Sequence, residues 1–332
     1  MPAAATLGEG DTPLVQSVRI GPALGLSRLY FKLETCNPTG SYKDRFVAAE
    51  VGRLLEAGAS GCVATSSGNT GSSLASYCAR YQLRCTIVVN HNAPEGKLVQ
   101  MQAHGARLLR MHDFVTDPHV TRRALDILEA SGIPLVVSAY RYCPAGMRGV
   151  EQIGRELVAQ CPGVQHVFVP VGGGGLYIAT ARGVAGAARV HAVQPAGCPT
   201  LVGAFDRGDD RVLPVQSTTR ISGLSVPFDI DASVALRELR AAGGLGIAVA
   251  DEEVWEAQRL LLSQEGIYCE PAGATALAGL RRLARRRQIG SDEPVVCLVT
   301  GHGFKDLDSI AAAAQAHPAA TISVDQLKEA LQ

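Results

Sequence analysis

The chain has 332 residues, 47% hydrophobic and 19% charged, with 31 basic side chains balanced by 31 acidic ones. This length and apolar share predict a folded protein of about two domains. The balanced charge excludes a long-range field that would draw nucleic acid or an anionic membrane, so a small neutral or zwitterionic ligand is the expected partner.

In chain order, the opening MPAAATLGEG lacks the basic start and continuous apolar stretch of a secretory signal. No later run approaches the roughly 18 to 20 apolar residues of a membrane-crossing helix, so a cytoplasmic protein is expected. LYFKL (29–33) is the first strand, and NPTGSYKDR (37–45) places Lys43 between a turn and the Asp44–Arg45 pair. Read alone, that lysine fits a solvated ion network as well as a reactive amine. Apolar residues three and four apart in SYKDRFVAAEVGRLLEAG then predict a helix closed by glycine.

CVAT (62–65), CTIVV (85–89), ARLLRM (106–111), PLVVSA (134–139), HVFVPV (166–171), ARVHAV (188–193) and VVCLVT (295–300) read as further buried strands. NTGSSLASYCARYQ, TDPHVTRRALDILEASG and AGMRGVEQIGRELVAQ carry the helical period between them. This alternation predicts an α/β fold with largely parallel sheets, since parallel neighbours need crossover helices. Ligands of such sheets bind beyond the carboxyl ends of the strands.

Three of those ends are rich in glycine and hydroxyl residues. After the HVFVPV strand, Gly172, Gly173, Gly174 and Gly175 let backbone N–H groups converge on an anion without Cβ obstruction, as a phosphate cradle requires, although a tight turn gives the same pattern. The run matches neither G-x-x-x-x-G-K-[ST] nor G-x-G-x-x-G with a placed acid. Ser66, Ser67, Asn69 and Thr70 in SSGNTG offer donors for a carboxylate, or plain helix capping. Thr300 and His302 in TGHG could simply end a strand, and His302 is read as structural.

The nine cysteines, scattered without C-x-x-C, predict reduced structural thiols with neither disulfide nor metal. Cys143 has no recognisable base beside it. RRLARRRQ (281–288) reads as a solvated helix face.

NPTGSYKDR, SSGNTG, GGGGL and TGHG, in this order, resemble the fold-type II pyridoxal-phosphate enzymes, the group of threonine synthase, serine/threonine dehydratase and cysteine synthase. The resemblance runs from about Leu14 to about Ile310 and is nearest to threonine synthase, through KLETCNPTGSYKDR, DEEVWEAQRLLLSQEGIYCEPAGATALAGL and VVCLVTGHGFKD. It implies a tryptophan synthase β-like architecture of two open, twisted, mostly parallel sheets flanked by helices. Residues 1–45 and 146–332 would form the larger cofactor-binding domain, 46–145 the smaller substrate-carboxylate domain, and two copies a homodimer.

By the same resemblance Lys43 is the Schiff-base lysine for pyridoxal 5'-phosphate. Gly172 to Gly175, with the Leu176 amide, would hold its phosphate, Asn69 its phenolic oxygen and Thr300 its ring nitrogen. Ser66, Ser67, Asn69 and Thr70 would hold the carboxylate of a small amino-acid substrate. A neutral hydroxyl at the ring nitrogen makes a weaker electron sink than a carboxylate would, which favours elimination over transamination.

The implied activity is elimination or replacement of the threonine-synthase type. A serine/threonine ammonia-lyase and a β-replacement synthase making a cysteine, cysteate or diaminopropionate type product from an activated serine are alternatives. An amino-acid-binding α/β module without turnover is the non-enzymatic one. The N-P-x-R-x-x-G-Q-K-T-like stretch of threonine synthases is replaced by YRYCPAGMRGVEQIGRE, which removes a guanidinium from a phosphate site and makes Cys143 and Arg148 the expected side-chain contacts. TTRISGLSVPFDID (218–231) is expected to bear on substrate choice, and a regulatory domain of the kind carried by long biosynthetic dehydratases is not expected after TGHG.

Overall fold

The computed structural model describes residues 5–114, 117–315 and 318–331; the first four residues and Thr116 of the helix expected at 116–132 lie outside them. Among the described residues, ten strands form two sheets. They are β1 (Leu14–Gln16), β2 (Leu29–Leu33), β3 (Gly61–Ala64), β4 (Arg84–Asn90), β5 (Arg107–Met111), β6 (Leu135–Val136), β7 (His166–Pro170), β8 (Arg189–Pro195), β9 (Gly246–Val249) and β10 (Val295–Val299). One sheet has the order β1-β2-β10-β7-β8-β9 and the other β5-β4-β3-β6.

β1 runs antiparallel to β2, and every other pairing is parallel. The architecture is therefore mixed α/β, with two mostly parallel sheets flanked by helices. β7 and β10 are buried along their whole length, the pattern of strands covered on both faces. Val295 of β10 pairs with Leu29 of β2 and with His166 of β7, so the last strand of the chain lies between an early strand and a middle one in the large sheet.

Several expectations need adjusting. β1 and β9 are short strands that the sequence reading left out, and PLVVSA contributes only two strand residues. The single helix expected over 145–160 is two, Pro144–Val150 and Gln152–Gln160, separated at Glu151. The first packs on the Lys43–Glu56 helix and the second on Gly175–Val184, so each half follows its own partner. The basic run is not wholly solvated: Arg281 is buried and pairs with Glu256 at 2.5 Å, and Arg282 donates to the Ala248 carbonyl. Arg285, Arg286 and Arg287 are exposed.

All nine thiols are free, eight of them buried. Those of Cys62, Cys78 and Cys85 gather within 4.8 Å of one another inside the small-sheet core, a proximity that their spacing in sequence does not disclose. Among the described residues, no helix is long and apolar enough to cross a membrane.

Candidate active site

The carboxyl ends of β3, β6, β7 and β10 open onto one cavity of about 530 Å³. Lys43, the first residue of the Lys43–Glu56 helix, enters it from a segment pinned to the end of β10. Tyr42 N–H donates to the Thr300 carbonyl at 3.1 Å, and Ser41 bridges Gly301.

Lys43 Nζ donates to Ser138 Oγ at 2.7 Å and sits 4.4 Å from the Tyr42 ring centroid. Its charged neighbours turn elsewhere. Asp44 is fully buried and accepts from Thr39 N–H at 2.7 Å, Thr39 Oγ1 at 2.6 Å and Ser73 Oγ at 2.5 Å, while burial pushes its carboxyl up. Arg45 pairs with Glu34 at 2.7 Å and Glu156 at 2.6 Å, and Glu156 also takes the buried Lys32 ammonium at 2.6 Å. Burial alone would raise the Glu156 carboxyl, but Arg45 and Lys32 hold it down to about 2. The helix start that carries Lys43 is thus clamped by groups that leave the amine to a hydroxyl.

Opposite lies the glycine turn between β7 and the Gly175–Val184 helix. Gly174 has φ of 100°, and a Cβ there would meet the backbone of Asp231 and Ala232 at 2.9 to 3.0 Å. Only glycine combines that dihedral with that approach. Asp231 closes the turn from behind: its N–H donates to the Gly173 carbonyl at 3.0 Å, and its carboxylate accepts from Tyr140 N–H at 2.7 Å and Arg141 N–H at 3.1 Å.

Ser66, Ser67 and Asn69 are half-buried and Thr70 is buried, all on the cavity wall at the start of the Asn69–Arg80 helix. Asn69 Nδ2 donates to Glu270 Oε1 at 2.7 Å. Burial lifts the Glu270 carboxyl to about 7, against the opposing pull of that hydrogen bond and of Lys305. Gly301 leaves the space for it, since a Cβ there would meet Glu270 Oε1 at 2.0 Å. Thr300, 4% exposed, lines the same wall. His302 stands outside the chemistry: its Nδ1 accepts from Phe304 N–H at 3.3 Å and its ring packs between Tyr268 and Phe304.

The cavity therefore gathers Lys43, Ser66, Ser67, Asn69, Thr70, Gly172 to Gly175, Leu176 and Thr300. Cys143 and Arg148 are not among its lining residues. Cys143 is buried in the core, its thiol 3.6 Å from the Leu135 carbonyl and pushed by burial up to about 12, whereas Arg148 faces solvent. The sequence reading missed Ser138, Asp231, Glu270, Lys97 and Lys305. Ser138 follows a strand end and could have been found by that rule; Asp231 lies in an irregular stretch with no local signal.

The donor set suits a phosphorylated aldehyde: a glycine turn in which a Cβ at Gly172 or Gly174 would meet backbone, an amine held by a hydroxyl, and an amide fixed by a carboxylate. A family profile described as "Pyridoxal-phosphate dependent enzyme" matches residues 5–301. The threonine synthase of Methanocaldococcus jannaschii is 33% identical over 318 residues, covering 92% of this chain and 77% of that protein. That of Methanosarcina acetivorans is 30% identical over 339 residues, covering 98% and 82%. The solved structure of the processed form of threonine deaminase isoform 2 from Solanum lycopersicum superposes with a TM-score of 0.79 at 21% identity, covering 93% of this chain and 88% of that one.

Proposed function

Since the chain belongs to the pyridoxal-phosphate-dependent enzyme family, we propose that Lys43 is the amine that bonds the cofactor aldehyde and that the cavity eliminates or replaces a side-chain group of a small amino acid. The chain is a lyase of that family, and pyridoxal phosphate is its cofactor. The observation that carries the assignment is the Lys43 to Ser138 contact, which holds the amine in the cavity, with no carboxylate paired to it among the described residues. Bound there, pyridoxal phosphate supplies a carbonyl carbon for amines and a ring that draws electrons from the substrate Cα.

The glycine turn and the Leu176 amide would hold the phosphate through N–H groups at a helix start. Asn69 would offer its second amide hydrogen to the phenolic oxygen, its first being committed to Glu270. The Thr300 hydroxyl would face the ring nitrogen, and as a neutral group it would leave that nitrogen without a counter-charge. Ser66, Ser67, Thr70 and the backbone N–H of Asn69 would hold the substrate carboxylate so that Cα–H faces Lys43 Nζ, which, once free of the cofactor, would take the proton, with Ser138 orienting the amine.

We read the reaction as threonine-synthase-like, with ammonia-lyase and β-replacement activity as the competing outcomes on the same machinery. The two sheets support a division into a larger domain (1–45, 146–332) and a smaller one (46–145), and we extend the reading to a cytoplasmic homodimer. Offering phosphohomoserine, phosphoserine, serine and threonine while following phosphate, ammonia and amino-acid products tests the activity. Turnover of none, with no absorbance change of the bound cofactor, would refute it.

A further inference from the structure

The thiols of Cys62, Cys78 and Cys85 are free, their sulfurs lie within 4.8 Å of one another, and Cys62 Sγ is 3.6 Å from Cys78 Sγ. The fold builds this cluster. Cys62 of β3 and Cys85 of β4 are paired in register, so their side chains leave the sheet side by side on one face. The Asn69–Arg80 helix brings Cys78 onto them from its last turn, next to the buried Tyr77. The thiols sit toward the amino ends of the strands, whereas the cavity opens at the carboxyl ends; Cys78 is about 13 Å along the helix from Asn69.

Three sulfurs at this spacing suit one shared centre. Bonds of about 2.3 Å from sulfur to a common ion set neighbouring sulfurs roughly 4 Å apart, while a disulfide draws only two together, to about 2 Å, and leaves the third unused. Charge then selects the ion. The surroundings are apolar core, and among the described residues no lysine or arginine hydrogen-bonds the three thiols. The Glu50 carboxylate faces Cys62 and is already paired with Arg53 at 2.6 Å. Thiolates favour copper(I) and zinc, but three of them leave the copper complex doubly and the zinc complex singly negative, a charge this core does not compensate. Among the described residues no histidine or carboxylate joins the group as zinc's fourth donor. A trivalent centre with three thiolates is neutral.

We propose that Cys62, Cys78 and Cys85 form a binding site for a trivalent, thiol-seeking metalloid, taken up as its neutral hydroxide, as arsenous acid is. Uptake forms three arsenic–sulfur bonds and breaks three arsenic–oxygen bonds. Each thiol proton leaves with a hydroxide as water, so three waters are released and no electron moves. Both the entering molecule and the product are uncharged, so no net charge is carried into the core. The way in is at the Cys85 edge: Ala79, Arg80, Gln82 and Arg84 of the adjoining turn are exposed, and Cys85 is 9% exposed where Cys62 and Cys78 are each 1%. The site uses none of the cavity residues and stands independently of the amino-acid reading above.

Native mass spectrometry of the cofactor-loaded enzyme with arsenous acid tests this, the protein being kept reduced by a phosphine so that no added thiol competes. The wild type should gain one arsenic and lose three hydrogens. Capture by two sulfurs gives a different mass, because one hydroxyl stays on arsenic. X-ray absorption at the arsenic edge should show sulfur neighbours and no oxygen, and the thermal unfolding midpoint should rise with added arsenous acid, since the ligand binds the folded arrangement. Cys78→Ala and Cys85→Ala should each weaken binding by about a hundredfold or more, a lost ligand costing at least what a lost supporting partner does. Cys36→Ser, which removes the exposed thiol, should keep the wild-type affinity. Wild-type enzyme that takes up no arsenic, or holds it with a hydroxyl attached, overturns the proposal however the variants fold. So does binding that survives in folded Cys78→Ala and Cys85→Ala, or displacement of the bound arsenic by equimolar zinc.

Discussion

Asn69 and Glu270, 201 positions apart in the chain, meet at 2.7 Å and so join the start of a small-sheet helix to the end of the large sheet. Glu270 stands where Gly301 has no side chain, and Asn69 stands where a cofactor oxygen is expected. The carboxyl fixes which way the amide points, because an acceptor on one side leaves the remaining amide hydrogen for the other.

Glu270 gives the first prediction, a pH dependence. Its carboxyl lies at about 7 in the fold against an ordinary 4.5, so between those values the folded state holds a proton that the unfolded chain has released. Stability contributed at low pH is therefore lost as pH rises through that window, by up to about 3 kcal/mol. Chemical denaturation of the wild type from pH 5 to 8 should show the decline, and Glu270→Gln, which keeps the acceptor for Asn69, should flatten it. An unchanged slope in the variant would assign the decline to another group.

The glycines beside the cofactor site are expected to be intolerant. Gly174→Ala places a Cβ against backbone at a left-handed dihedral and should destabilise by about 1–3 kcal/mol. Gly301→Ala drives Glu270 away from Asn69. Both should weaken pyridoxal-phosphate binding by tenfold or more, measured by fluorescence titration of the apoenzyme. Retained affinity with normal folding would remove the cradle and the Asn69 orientation from the account.

The clamp behind Lys43 should tolerate loss of charge poorly. Glu156→Gln leaves the buried Lys32 ammonium uncompensated, and breaking a buried pair in this way costs roughly 3–5 kcal/mol. Because Glu156 is held down to about 2, the stability it gives is present above the ordinary carboxylate range and is lost as pH falls from about 4.5 through 2. Acid-unfolding curves should show the wild type losing this advantage over the variant in that range.

Arg148→Ala is predicted to be nearly silent, within about 0.5 kcal/mol in stability and about twofold in kcat/KM, since the side chain is exposed and off the cavity. Cys143→Ala should lower stability by about 1 kcal/mol through lost packing, with kinetics unchanged. A tenfold loss in kcat/KM for either would return it to the substrate site.

Much of the cavity was legible because strand ends advertise themselves: SSGNTG, GGGGL and TGHG each follow an apolar run, and parallel sheets bind ligands there. Lys43 was legible only as part of that set, because Asp44 and Arg45 beside it permit an ordinary ion network, and sequence does not tell that both turn into the core. Glu270 was hidden by its helix-start setting, where an acid before Pro271 reads as a cap. Lys97 and Ser222 belong to different walls and meet only through tertiary packing, and the break at Glu151 reflects two helices choosing different neighbours, which no local period records.

The central claim is that Lys43 carries the cofactor. Borohydride reduction of the loaded enzyme followed by peptide mass analysis should place one pyridoxyl group on the peptide containing Lys43 and none in Lys43→Ala. A pyridoxyl group on Lys97, Lys305 or another lysine, or none at all in protein that binds pyridoxal phosphate, would contradict it.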